Sequence, residues 1–151
     1  MIKGIIIASY KSGGVLFQRY YGRDLSTVSA QARFLQKVRD TTAIEWPALI
    51  QESPEECAYA DGMHITYKLM GDVVVTVVGV DEHDQMLLLE FCRAFEAAVK
   101  KVLKIKPNAD VSMELRILQS YSKVSMIVEE MIIDGDIDHL DANMIAAVIK
   151  M

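Results

Sequence analysis

MHITYKLMGDVVVTVVGVDEHDQMLLLEFCRAFEAAVKKVLK, residues 63–104, decides the fold. Two runs rich in Val, Ile, Thr and Tyr meet at Met70-Gly71, and branched and aromatic side chains of this kind pack well on a pleated sheet. A helix follows, with Leu88, Phe91, Phe95, Val99 and Val102 on one stripe and Glu90, Arg93, Glu96 and Lys100 facing away from it. Asp81 or Asp84 can cap its start, because a short acceptor side chain there meets amides that have no partner inside the helix. The helix is expected to cover one face of the sheet, and the rest of the chain to complete a two-layer core.

Toward the N-terminus, residues 57–60 read as a third strand joined to the stretch by Asp61-Gly62, a strong hairpin signal because both turn positions need positive φ. Residues 2–8 and 15–21 form a second hairpin through SYKSGG. Its lysine and paired glycines imitate a phosphate loop, but that motif is GxxxxGK[ST] leading into a helix, and here a strand follows. Between the hairpins, residues 26–40 are predicted as a helix capped by Asp24, with Ala30, Phe34 and Val38 on its apolar side. Arg33, Lys37 and Arg39 lie off that side, as a solvated face or as a contact for phosphoinositides. Pro47 and Ser53-Pro54 then break the pattern into a loop, with a short edge strand expected in ALIQ, residues 48–51.

Toward the C-terminus, Lys100, Lys101, Lys104 and Lys106 form the densest basic cluster, which either complements the negative end of the helix or meets a membrane or partner. Residues 111–134 are expected to be helical with a break near Ser120, ending at Gly135. At 100° per residue, Ile117, Tyr121, Ile127, Val128, Met131 and Ile132 share the core face. Leu115, Met126 and Ile133 fall opposite, where solvent favours polar groups, so they are covered by a neighbouring loop or form a docking strip for a partner. Asp141 caps a last helix carrying Met144, Ile145 and Val148.

A chain of 151 residues fits one domain, 1–151, with a core that needs no disulfide or metal. Its net charge of −5 carries no electrostatic footprint for nucleic acid. Hydrophobic residues make up 52%, so the core is generous or apolar surface serves a partner. Cys57 and Cys92 lack ligand spacing and read as reduced core thiols of an intracellular protein. MIKGIIIA is too short in its apolar core for a signal peptide, and no run reaches the ~18 residues of a membrane span, which together predict a cytosolic chain unless a partner brings it to a membrane.

No catalytic, cofactor or metal site is expected. Asp134, Asp136, Asp138 and Asp141 imitate a calcium loop, but His139 and Ile145 stand where that loop needs glycine and a bidentate glutamate. Glu129 and Glu130 are adjacent on a helix and diverge by about 100°, so they cannot share one substrate bond as acid and base. His64, His83 and His139 show no ligand spacing, and Cys92 between Phe91 and Phe95 reads as inert packing.

The order of these elements resembles a family. MIKGIIIASYKSGGVLFQRYYG is similar to the opening hairpin of the small subunits of vesicle coats, the sigma chains of clathrin adaptor complexes and the zeta chain of coatomer. HITYKLMGDVVVTVVGVDEHDQMLLLEFCRAFEAAVKKVL resembles their second hairpin and long helix, and KVSMIVEEMIIDGDIDHLD, residues 123–141, their late acidic signature. The resemblance implies a longin-like (SNARE-like) α/β fold, a five-stranded antiparallel-type sheet flanked by helices. It further implies a non-enzymatic subunit that sits against the helical solenoid of a large chain in a heterotetramer. Such coats are recruited to Golgi or endosomal membranes by Arf-type small GTPases and select cargo. Val77-Val78-Gly79 and residues 132–137 lie closer to zeta, and Glu130-Met131 closer to sigma. The alternative is a longin-type regulatory subunit of a tethering or GTPase-exchange complex. Sigma chains bind acidic dileucine signals beside the long helix, but Glu96 stands where an apolar pocket residue is required, with Ile105-Lys106 near the pocket's end. A carboxylate facing two leucines costs several kcal/mol unless neutralised, so that site is not carried over.

Overall fold

The computed structural model describes residues 1–43, 46–49, 54–106 and 112–150. Five strands, β1 (Ile2–Ser9), β2 (Val15–Tyr20), β3 (Glu55–Ala60), β4 (Met63–Met70) and β5 (Val73–Gly79), form one sheet in the order β2-β1-β5-β4-β3, and every neighbouring pair is antiparallel. The two expected hairpins therefore join edge to edge through β1 and β5. Both of these strands are continuous apolar runs, and β5 is buried at every position. Such a run, unlike an alternating one, marks a strand covered on both faces.

Both faces are in fact covered, so the expected two-layer core is corrected to three layers. On one side Ile5, Ile7, Val73, Val75 and Val77 pack with α2 (Gln85–Val102), α3 (Met113–Gln119), α4 (Tyr121–Met131) and α5 (Ala142–Lys150). On the other, Ile6, Val74, Val78, Ile65, Tyr67 and Leu69 pack with Leu25, Leu49 and the Phe34 and Val38 side chains of α1 (Val28–Thr42). Each such side chain taken out of water contributes about 1.5–3 kcal/mol before the cost of chain ordering.

The α2 stripe falls as the spacing requires, with Leu88, Phe91, Phe95, Val99 and Val102 all buried. Asp84 caps it, accepting from the Leu87 amide at 3.0 Å. The cap of α1 differs from the expectation: Thr27 Oγ1 accepts from the Ala30 amide at 3.1 Å, two residues into the segment that had been assigned to helix. Asp24 sits instead in a short 3-10 turn, and its carboxylate takes the Lys3 ammonium at 2.5 Å. In place of a strand at ALIQ, residues Trp46–Ala48 form a 3-10 turn that seats Leu49 in the core; residues 50 and 51 lie outside the described residues.

The largest departure is at the end of α4. The predicted helix through 134 stops at Met131, and Ile132–Ile133 (β6) pairs with Asp136–Ile137 (β7) around Asp134-Gly135. Asp134 has φ 51° and Gly135 φ 85°, the double positive φ of a two-residue hairpin, so Gly135 is a turn glycine and not a helix stop. The Asp61-Gly62 turn has the same signature, with φ 51° and 78°. The hairpin is tied to the sheet by the Ile2 amide, which donates to the Gly135 carbonyl at 2.6 Å. Sequence spacing did not carry this tie, which is between residues 133 positions apart.

Candidate functional site

The residues expected to form a docking strip lie on three successive elements. Leu115 on α3 is 54% exposed, Met126 on α4 46% and Ile133 on β6 53%. Each is thus about half exposed. Leu118 and Tyr121 are exposed as well. The sequence pattern places Tyr121 on the core face, whereas the structure leaves it 46% exposed. At Ser120 the backbone leaves the helical region (φ −120°, ψ 33°), with its amide donating to the Arg116 and Ile117 carbonyls. Tyr121 opens α4 directly after this break, so its side chain lies at the end of the helix and not along its buried run. Ile117 before the break and Val124, Ile127, Val128 and Met131 after it remain fully buried, whereas Tyr121 lies at the rim with its ring 5.3 Å from that of Phe17.

Glu96 does not simply face away from the core. Its carboxylate lies 3.6 Å from the Lys68 ammonium on β4 and 3.6 Å from that of Lys100 one turn on. The same side of α2 carries Arg93, whose Nε and Nη2 donate to the two carboxylate oxygens of Glu55 on β3 at 2.9 Å each. These bonds hold the Glu55 carboxyl below its ordinary range, burial opposing them. Helix and sheet edge are thus joined by charge where the apolar stripe ends.

The residues weighed for chemistry are dispersed or already satisfied. Cys92 is fully buried, and desolvation pushes its thiol well above the ordinary value, away from the reactive thiolate. Glu129 pairs with Arg19 at 3.6 Å and Glu130 with His139 at 3.3 Å, so the two diverge to separate partners. Asp134 is a turn residue, and the Asp141 carboxylate accepts from the amides of Asn143 and Met144 at 3.0 and 3.1 Å as a cap of α5. Within α5, Ile145 is core while Met144 and Val148 are exposed.

Glu82, His83 and Asp136 bring ligand-type atoms within 4.8 Å of one another, a grouping that sequence spacing did not reveal. The Met1 ammonium lies 2.5 Å from His83 Nδ1, donates to the Val80 carbonyl at 3.0 Å and sits 3.6 Å from Glu82. A cation is therefore already supplied by the chain, on the lone pair a metal would need. Burial first, and this ammonium second, push the His83 imidazole below its ordinary value.

A five-stranded antiparallel sheet between helical layers gives the chain a longin-like fold. The chain belongs to the clathrin adaptor complex small chain family, whose model matches residues 1–151. Its fold is similar to a chain in a homology model of the full-length AP-3 complex in a stretched open conformation, with a TM-score of 0.63 at 14% identity over 99% of this chain and 92% of that one. Comparison with curated proteins found no match. Among the described residues no helix is long and apolar enough to cross a membrane.

Proposed function

We propose that this chain is the non-catalytic small subunit of a vesicle coat or adaptor complex in intracellular protein transport, packing as one domain against a large helical-solenoid subunit. The observation that carries the reading is the row of exposed apolar side chains on α3, α4 and β6, in a chain whose family is adaptor small chains. Leaving Leu115, Met126 and Ile133 in water forgoes the burial energy each would gain, which a permanent partner recovers. Membrane recruitment by an Arf-type GTPase then acts on the complex, at Golgi or endosomal membranes, and not on this chain directly. A dileucine pocket beside α2 forms no part of the proposal: Glu96, held by Lys68 and Lys100, would have to give up its charge partners to face leucine side chains.

The test is purification of the endogenous protein followed by identification of what accompanies it. A large helical-repeat chain in stoichiometric amount is the expected result, and its identity separates a sigma-type from a zeta-type subunit. Recovery of a lone monomer overturns the proposal. Acceleration of nucleotide release from a small GTPase by the purified complex would instead favour a longin-type regulatory subunit.

A further inference from the structure

Ala97, Lys100, Lys101, Lys104, Ile105 and Lys106 line an open concavity of about 550 Å³ at the C-terminal end of α2. Two of the lysines have a structural explanation. Lys100 and Lys101 lie in the last helical turn, where cations offset the negative end of the dipole, and they pair with Glu96 and with the Asn143 side-chain oxygen. Lys104 and Lys106 lie beyond the end of the helix at Val102. Both are exposed, and among the described residues neither has an ion-pair partner. The dipole term falls off within the last turn and does not account for them.

Among the described residues that line the concavity there is no carboxylate. Four ammoniums fall within seven residues, and an anion that joins them gains attraction from several at once. Between the charges the wall is apolar, made by Ala97, Ile105 and the lysine methylenes, as when lysines lay their stems on a surface and hold their heads in water. Lysine is a compact point charge suited to phosphate oxygens, and no arginine is present to take a carboxylate in two-point contact.

We infer that this concavity is a seat for a phosphate-rich headgroup, of the kind carried by phosphorylated inositol lipids or their soluble counterparts. The inference goes beyond the reading of the chain as an adaptor small subunit and does not rest on it.

The full-length chain is tested by vesicle flotation with phosphatidylcholine doped with a phosphatidylinositol bisphosphate, and by calorimetry with soluble inositol trisphosphate. Lys104→Gln/Lys106→Gln is the variant, since both side chains are exposed and hold no ion pair among the described residues, so its thermal unfolding should match the parent. Each lysine near a lipid surface contributes about fivefold to binding, so the double variant is expected to bind doped vesicles roughly twentyfold more weakly. Parental binding should weaken as salt rises. Lysine-dependent binding of both probes supports a lipid source, and binding of the trisphosphate alone supports the phosphate seat with a soluble source. The inference is overturned if neither probe binds, if the variant binds as well as the parent, or if phosphatidylserine vesicles of matched charge bind equally. Tighter binding of an acidic peptide than of either phosphate probe overturns it too.

Discussion

The carboxylate of Glu96 on α2 lies 3.6 Å from the ammonium of Lys68 on β4, with side chains only 22% and 11% exposed. This pair sits at the boundary where the apolar interface between helix and sheet gives way to solvent. Lys68 is the more enclosed partner, and Glu55, opposite it on β3, is a second carboxylate nearby. Removing one member of an enclosed pair leaves the other charge stranded, whereas an exposed pair contributes little. Glu96→Gln should therefore lower stability by about 1–2 kcal/mol in urea unfolding, less than for a fully buried pair. Lys100→Gln, which removes the exposed partner of the same carboxylate, should cost under about 0.5 kcal/mol. Equal losses in the two variants would show that Lys68 does not need Glu96.

The exposed strip separates partner binding from folding. Leu115→Glu, Met126→Glu and Ile133→Glu together should leave thermal unfolding of the isolated chain close to the parent, because each side chain is about half exposed. Recovery of the large partner chain in co-purification should fall by at least about tenfold, the scale of losing one interface anchor. Unfolding of the isolated triple variant would place these residues in the core.

Two turn glycines with similar φ should respond differently to alanine. At Gly62 an added Cβ would meet nothing within 4 Å, so the cost is the positive φ alone, about 1 kcal/mol. At Gly135 the Cβ would lie 2.8 Å from Met1 Cγ and Cε and 3.2 Å from the Ile2 carbonyl oxygen. Gly135→Ala should therefore be the more destabilising, by about a further 1–2 kcal/mol of steric strain. Thermal denaturation of the two variants measures the difference, and a ranking in the opposite order would mean that the β6–β7 hairpin does not pack on the start of β1.

His83 gives stability a pH dependence of known sign. Burial, then the Met1 ammonium, lowers its imidazole below the ordinary 6.5, with Glu82 opposing. The folded state thus holds neutral His83, and the unfolded chain binds more protons as pH falls through 6.5. This contribution is fully present above 6.5 and is lost progressively below it, down to the lowered folded value. His83→Asn, which keeps an acceptor, should flatten stability against pH below 6.5 relative to the parent and leave it parallel above. Identical slopes in chemical denaturation would exclude His83 as the source.

Much of this fold was legible from local pattern. The branched and aromatic residues of β4 and β5, the Asp61-Gly62 turn, the stripe of α2 and the Asp84 cap involve residues a few positions apart, where local spacing and propensity are enough to read the element. The positions Leu115, Met126 and Ile133 were legible in the same way, as apolar residues on the wrong side of a helical wheel. Tyr121 was not, because periodicity gives the face a residue shares and not where the helix begins, and Tyr121 is the first residue of α4.

By itself, then, the amino-acid sequence determined the five strands, the long covering helix, the lack of a reactive motif and the resemblance to adaptor small chains. Tertiary structure alone decided the second helical layer over β5, the hairpin at Asp134-Gly135, the Lys68 partner of Glu96 and the gathering of Met1, Glu82, His83 and Asp136. The physical reason is range. Backbone geometry and side-chain periodicity act over a turn or a strand pair and are written in spacing, whereas the choice between Lys3 and free amides for Asp24, or between helix and hairpin after Met131, is made by groups that meet only once the sheet has closed.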